Sequence, residues 1–323
     1  SNGTLSIINV SVVTFNGLGS QTINSGGNSF QLVSIESGDY TALSNIIFNL
    51  KLEISGAATF NTGATNTISF PNSNSEFVNN GTFNFTTAGC ELNYDGDDGN
   101  DFTNNGTINM TAGGTLKISS VSSPTIEAGA ATFTAGSGTV EYDLLGGNQA
   151  IDAVTYNNLI INGNDLNDIK TASANLNVNG DLTVTNGNLT LNNIALTLGG
   201  DFSMINGSFD PGISDLHNVA GIWNETGGVF QPIDGTFTFS GTGGKTIAQN
   251  TGNNFWDLTI ASGGINKISA NSPISVSGVF TNTNGTFDTE GNTVEVDGVT
   301  NIDGGILEIA AGTFDANNTF DAN

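Results

Sequence analysis

The sequence predicts an all-β protein, a right-handed parallel β-solenoid with about three strands in each coil of 20–25 residues. Three observations predict it. Short segments recur at 20 to 25 residues, the length of one solenoid coil. Apolar and polar residues alternate within each segment, which is the period of a strand with one buried face. Thr-Asn-Gly, Asn-Asn and Gly-Gly separate the segments, residues that tolerate the left-handed backbone of sharp corners.

The coil period is clearest in the second half of the chain. Gly180 and Gly200, Gly187 and Gly207, and Gly278 and Gly298 are each 20 residues apart. The cleanest coil reads as strands over 181–184, 188–191 and 194–198, with Leu182, Val184, Leu189, Leu191, Leu196 and Leu198 on the inward face. The first half carries a 25-residue version, in which Phe77-Val-Asn-Asn-Gly81-Thr-Phe83 returns as Phe102-Thr-Asn-Asn-Gly106-Thr-Ile108. A longer duplication overlies the coils. The pattern from Val178 to Leu191 recurs from Val276 to Thr289, an offset of 98 residues without a gap, and continues at Leu196/Val294, Gly200/Gly298 and Phe209/Leu307. Related segments also open near residues 12, 139 and 236. One continuous solenoid over 1–323 is therefore expected, in modules of roughly 12–138, 139–235 and 236–323. Asn-Gly also signals hairpins, but hairpins do not demand glycines at a fixed spacing, and stacked coils do. At ~4.8 Å per coil, ~14 coils would fit this length. No helix is predicted. The opening Ser1-Asn2-Gly3-Thr4 and the closing stretch to Asn323 both stay in the repeat pattern, so the sequence reads as a segment of a longer array.

The chain has 30 acidic and 5 basic residues, a formal net charge of −25, and all five bases are lysines. Such a chain repels phosphate backbones and anionic headgroups, so nucleic acid is not an expected partner. No apolar run is long enough to span a bilayer as a helix, so no membrane insertion is expected. Cys90 is the only cysteine, which excludes an internal disulfide.

Catalysis is not expected. His217 and Cys90 are single and 127 residues apart, and the lysines Lys51, Lys117, Lys170, Lys245 and Lys267 are dispersed. The acids mostly stand alone beside glycine, as at Asp181, Asp201 and Asp297, where solvated corners are the simplest reading rather than the facing carboxylates of a glycosidase. His217 reads as a surface-loop residue between coils. Cys90, which aligns with Gly114 in the 24-residue offset of Leu92 and Leu116, reads as a small corner or core residue. One acidic segment stands out, Tyr94-Asp95-Gly96-Asp97-Asp98-Gly99-Asn100-Asp101. Carboxylates alternating with glycine can wrap oxygens around Ca²⁺, and Asp95, Asp97 and Asp101 are the candidate calcium ligands, although no Glu closes the loop at Gly106. The alternative is an acidic turn. Trp256 shares parity with Leu258 and Ile260 and reads as core or corner, and Trp223 as part of another strand. No stripe of exposed rings for sugar binding emerges. No Thr-X-Thr column at constant coil spacing is apparent, so an ice-binding face is not expected.

The succession Thr236-Phe-Thr-Phe-Ser-Gly-Thr-Gly-Gly-Lys-Thr-Ile247, Phe255-Trp-Asp-Leu-Thr-Ile260, Ile274-Ser-Val-Ser-Gly-Val-Phe280 and Asn284-Gly-Thr-Phe-Asp-Thr-Glu-Gly-Asn-Thr-Val-Glu-Val296 resembles the repeats of large cell-surface adhesins of Bacteroidetes. Those are exported by the type IX system and in some species serve gliding. The resemblance runs through all three modules. It implies extracellular display at the cell surface, a long filament whose partners are other segments of the same protein, and attachment to polysaccharide or abiotic surfaces. A carbohydrate-binding or polysaccharide-cleaving β-helix, or a surface-layer protein, is the alternative expectation.

Overall fold

A computed structural model describes residues 12–96, 102–120, 124–214, 216–230, 232–264 and 266–323. The described residues form parallel strands without a helix, stacked into a β-solenoid of about 14 turns with about 21 residues per turn. The chain divides into two compact units, Ser1–Asn157 and Asn158–Asn323.

In the first unit three ladders run side by side. One joins Val12–Phe15 to residues 32–35, 51–54, 76–79 and 102–104. A second joins Ser20–Ile23 to residues 39–42, 57–61, 82–84, 107–109 and 132–134. The third passes from residues 46–47 through Thr67–Phe70, Glu91–Tyr94 and Thr115–Ile118 to Thr139–Tyr142. Two long strands, Ser29–Ala42 and Ile46–Asn61, contribute to all three and shift register where they turn. The 25-residue repeat is this register: Phe77 lies against Phe102 and Thr82 against Thr107. Like residues therefore stack. Phe60 packs on Phe83 with ring centres 5.5 Å apart, and Phe77 on Phe102 at 4.9 Å. All four rings are buried.

The Asn-Asn-Gly corners explain themselves in this stack. Asn79 and Asn104 are fully buried. The Asn79 amide donates to Asn104 Oδ1 at 2.7 Å and to the Thr107 carbonyl at 2.8 Å, and Asn104 donates to the Ile126 carbonyl at 2.8 Å. Their own oxygens accept the N–H of Gly81 and Gly106. Backbone groups that the bend strips of ladder partners are satisfied from inside, as buried polar groups must be. Gly106 is needed for closeness: a Cβ there would lie 2.1 Å from the Gly81 carbonyl oxygen of the turn below.

The second unit has shorter turns. Its first ladder runs through Asn158–Ile161, Leu182–Val184, Phe202–Met204, Trp223–Glu225, Lys245–Ala248, Lys267–Ala270, Thr286–Asp288 and Ile306–Glu308. A second joins Ile169–Ala172, Asn188–Thr190, Ser208–Asp210 and Val229–Phe230, and reappears as Ile274–Val276, Thr293–Val296 and Thr313–Ala316. A bond from Asn254 N–H to the Phe230 carbonyl and the Phe255–Val276 bridge connect its two halves. The third runs from Leu176–Val178 through Leu196–Leu198, His217–Val219, Thr236–Phe239, Asp257–Ala261, Phe280–Asn284 and Thr300–Ile302 to Phe320–Ala322. The six residues expected inward, Leu182 to Leu198, are all buried. The 20-residue glycine spacing is again stacking, since Gly200 N–H donates to the Gly180 carbonyl at 2.9 Å. Gly207 has φ 85° and a Cβ there would stand 2.3 Å from the Gly187 carbonyl, so both backbone shape and space select glycine.

The 98-residue duplication does not stack like on like. Leu182 lies on the first ladder, but its counterpart Phe280 lies on the third; Leu189 on the second corresponds to Phe287 on the first. At about 21 residues per turn, 98 residues is about four and two-thirds turns. The duplicated sequence has moved to another face of the prism.

Candidate functional site

Polar side chains that could do chemistry are mostly committed to holding the stack. Asp181 and Asp201 sit at one corner of the second unit. Asp181 Oδ1 accepts the Asp201 N–H at 2.9 Å, and Asp201 Oδ1 accepts the Ile222 N–H at 2.8 Å. The corner acids read from sequence thus cap the N–H groups of the following turn. Three lysines bridge turns of their own unit. Lys117 meets Asp143 at 2.7 Å and Glu141 at 3.4 Å; Lys51 meets Glu76 at 3.1 Å and Glu53 at 3.3 Å. Lys267 pairs with Asp288, Glu290 and Glu308. Burial draws the Lys117 ammonium down, but its hydrogen bond to Asp143 and the charges of both acids more than offset this and hold it above the ordinary lysine value.

Other polar groups lie inside. His217, expected on a surface loop, is buried in a strand, with its ring stacked on Phe237 at 4.5 Å and Nδ1 accepting the Leu196 N–H at 3.2 Å. The correction has a simple cause: His217 shares parity with Val219, and the imidazole offers a flat face to a phenyl ring. Glu225 is buried beside Trp223. Its Oε1 accepts the Trp223 indole N–H at 2.6 Å, and Oε2 accepts the Asn253 amide at 2.6 Å and the Asn250 N–H at 3.0 Å. Burial pushes its carboxyl above the ordinary range, and the three donors pull it only part of the way back. This network ties residues 250–253 to the turn below. Lys170 and Asp168 are also buried. Cys90 is a buried corner residue whose thiol donates to the Thr87 carbonyl at 2.8 Å, and Gly114 lies above it, as its alignment suggested. Trp256 is half-buried at the corner preceding Asp257–Ala261, while its neighbour Phe255 fills the core.

Of the three candidate calcium ligands, Asp95 is exposed just after Glu91–Tyr94, where its N–H continues the ladder to the Phe70 carbonyl at 3.0 Å. Asp97 and Asp101 lie outside the described residues. Among the described residues no group of three or more His, Cys, Asp or Glu is placed to hold a metal ion.

What remains is the outside of the sheets. On the second ladder of the first unit, Thr59, Thr82, Thr107 and Thr132 stand in one outward column. Two residues along each strand, Asn61, Asn84, Asn109 and Thr134 form a second column. The asparagines bond in series: Asn84 donates to Asn61 Oδ1 at 2.9 Å and Asn109 to Asn84 Oδ1 at 3.2 Å, and Asn61 donates to Asp39 below. These columns are mainly Thr-X-Asn rather than the Thr-X-Thr sought in the sequence, and their spacing is not constant. The successive offsets are 23, 25 and 25 residues, so a search at constant period misses a column that the ladders align. The signal was Thr-X-Asn repeated as Thr59-Phe-Asn61, Thr82-Phe-Asn84 and Thr107-Ile-Asn109. The second unit carries a less regular outward column of Asn177, Thr197, Asn218, Thr238, Thr259, Thr281 and Asn301. It also has a shallow groove of about 470 Å³ lined by Thr183, Ser203, Asn224 and Thr246. Such surfaces donate and accept hydrogen bonds repeatedly. No family model matches the chain, and no curated protein or solved structure matches it.

Proposed function

We propose that this chain is a structural and adhesive segment of an extracellular cell-surface filament, of the kind its repeats resemble. The observation that carries the reading is the combination of a long regular stack with flat outer faces of hydroxyl and amide groups. Each outward residue repeats from turn to turn, so one weak contact is multiplied along the ladder. The carboxylates and lysines described above serve the stack itself, capping corners and bridging turns. Attachment to polysaccharide or abiotic surfaces, type IX export and a part in gliding belong to the same proposal.

Electron microscopy of intact cells labelled with antibody against this segment tests it. Label along projecting filaments is the expected result. Label in a flat lattice would replace the reading with a surface layer. Label confined to the medium, together with release of sugar ends from polysaccharide, would replace it with a secreted β-helical enzyme.

A further inference from the structure

We propose that the outward face built from residues 59–61, 82–84, 107–109 and 132–134 binds ice, by matching its side-chain array to the oxygen lattice of the crystal. The array is two-dimensional. Threonines repeat from turn to turn at the ~4.8 Å spacing of paired strands, and the second column lies two residues along each strand, ~6.7 Å away. Two perpendicular repeats of this order are what the ordered surface of a crystal such as ice presents, the match being better between turns than along the strand. The array is also held in place. Backbone ladders fix every strand on both sides of Thr82 and Thr107, and the amide series from Asn61 to Asn109 fixes the second column. A rigid template loses little conformational entropy on binding.

Two further features choose the occupant. The chain has 30 acidic residues, yet 57–66, 77–90, 102–116 and 128–140 contain no charged residue; the acids Asp39, which continues the threonine column one turn below Thr59, and Glu127, which accepts the Phe133 N–H, border the face. A face whose four central strands are neutral in so acidic a chain suits a neutral surface and gives a polyanion nothing to pair with. Of the rings of these strands, Phe60 and Phe83 are buried, and the half-buried Phe133 packs edge-on against the buried Tyr156, in register with the buried Ile108, so the face offers no row of outward rings on which a sugar could stack. Threonine supplies a hydroxyl to join the lattice and a methyl group to order the water beside it.

The inference deepens the adhesive reading by naming a surface. Antibody labelling tests display and the experiment below tests the face, so either can fail alone. The purified chain, a Thr82→Lys/Thr107→Lys variant and a control with the exposed Thr293→Lys on the second unit are each frozen slowly onto an ice probe. Protein in the ice is then compared with protein left in the liquid, and melting is followed by circular dichroism. Several-fold enrichment of the parent chain and of the control in ice is expected, with the double variant excluded though it melts as the parent does. Exclusion of the parent chain from ice would overturn the proposal, as would undiminished enrichment of the double variant. Retention of the parent, but not the double variant, on cellulose or chitin without enrichment in ice would assign the face to a neutral polysaccharide instead. A single Thr107→Lys variant serves the same comparison if the double variant melts early.

Discussion

In the first unit 25 residues separate Phe77 from Phe102, and the corner between their turns is tied from within by Asn79 and Asn104, both buried. In the second unit 20 residues separate Leu182 from Phe202, and the corresponding corner is tied from outside by the exposed carboxylates of Asp181 and Asp201. A longer turn leaves room inside a corner for an amide, which can both donate and accept and so joins three turns. At this corner of the tighter turn the capping acceptor lies on the solvent side, while elsewhere in the same unit Asn282 is buried and donates to the Ile306 carbonyl at 2.9 Å. An amide suits the buried position because it satisfies several partners without bringing a charge into a low-dielectric interior. A carboxylate suits the outside, where water solvates its remaining oxygen.

The comparison can be broken or sharpened by substitution. The largest effect is expected for Leu189→Asp, which places a charge in the aliphatic core of a short turn and should destabilise by ~4 kcal/mol or more. Unchanged circular dichroism and melting would refute the inward assignment. Next comes Asn104→Ala, which removes one of the two acceptors of the Asn79 amide, the acceptor of the Gly106 N–H and a donor to the Ile126 carbonyl; loss of ~2–3 kcal/mol in denaturant unfolding is expected. Glu225→Gln removes one of two acceptor oxygens facing three donors and should destabilise by ~1–2 kcal/mol. Its pH dependence carries a sign. The folded carboxyl ionises at higher pH than the unfolded one, so its contribution is complete below the unfolded value and falls as pH rises through the folded one. The difference in melting temperature between parent and variant should therefore shrink as pH rises from the acid side, and a difference that grows would reject the assignment. The smallest effect is expected for Asp201→Ala, ~0.5–1 kcal/mol, because water can replace an exposed acceptor. An Asp201→Ala loss equal to that of Asn104→Ala would erase the distinction between inner and outer ties.

The fold was legible because stacking writes itself into the spacing of residues. Gly180 and Gly200, or Asn79 and Asn104, must recur at the length of a turn to meet one another. Alternation then placed Leu182 to Leu198 inward. Two kinds of position escaped. Where turn lengths vary, as from Thr59 to Thr82 to Thr107, a column is continuous in space and irregular in sequence. Where a polar residue points inward, parity and polarity disagree. His217 follows the parity of Val219 and Glu225 that of Trp223, and only the partners across the core, Phe237, Asn253 and the indole N–H, show why parity prevails.

The fractional duplication bears on how such a protein grows. Strand and corner together take about seven residues, and any whole number of them is an admissible insertion, because the three faces accept one another's sequence. Copies repeated every 98 residues would each be rotated by a third of a circle relative to the last, so three successive copies would aim equivalent patches in three directions. A stack lengthened in this way would carry each patch on every one of its three faces in turn.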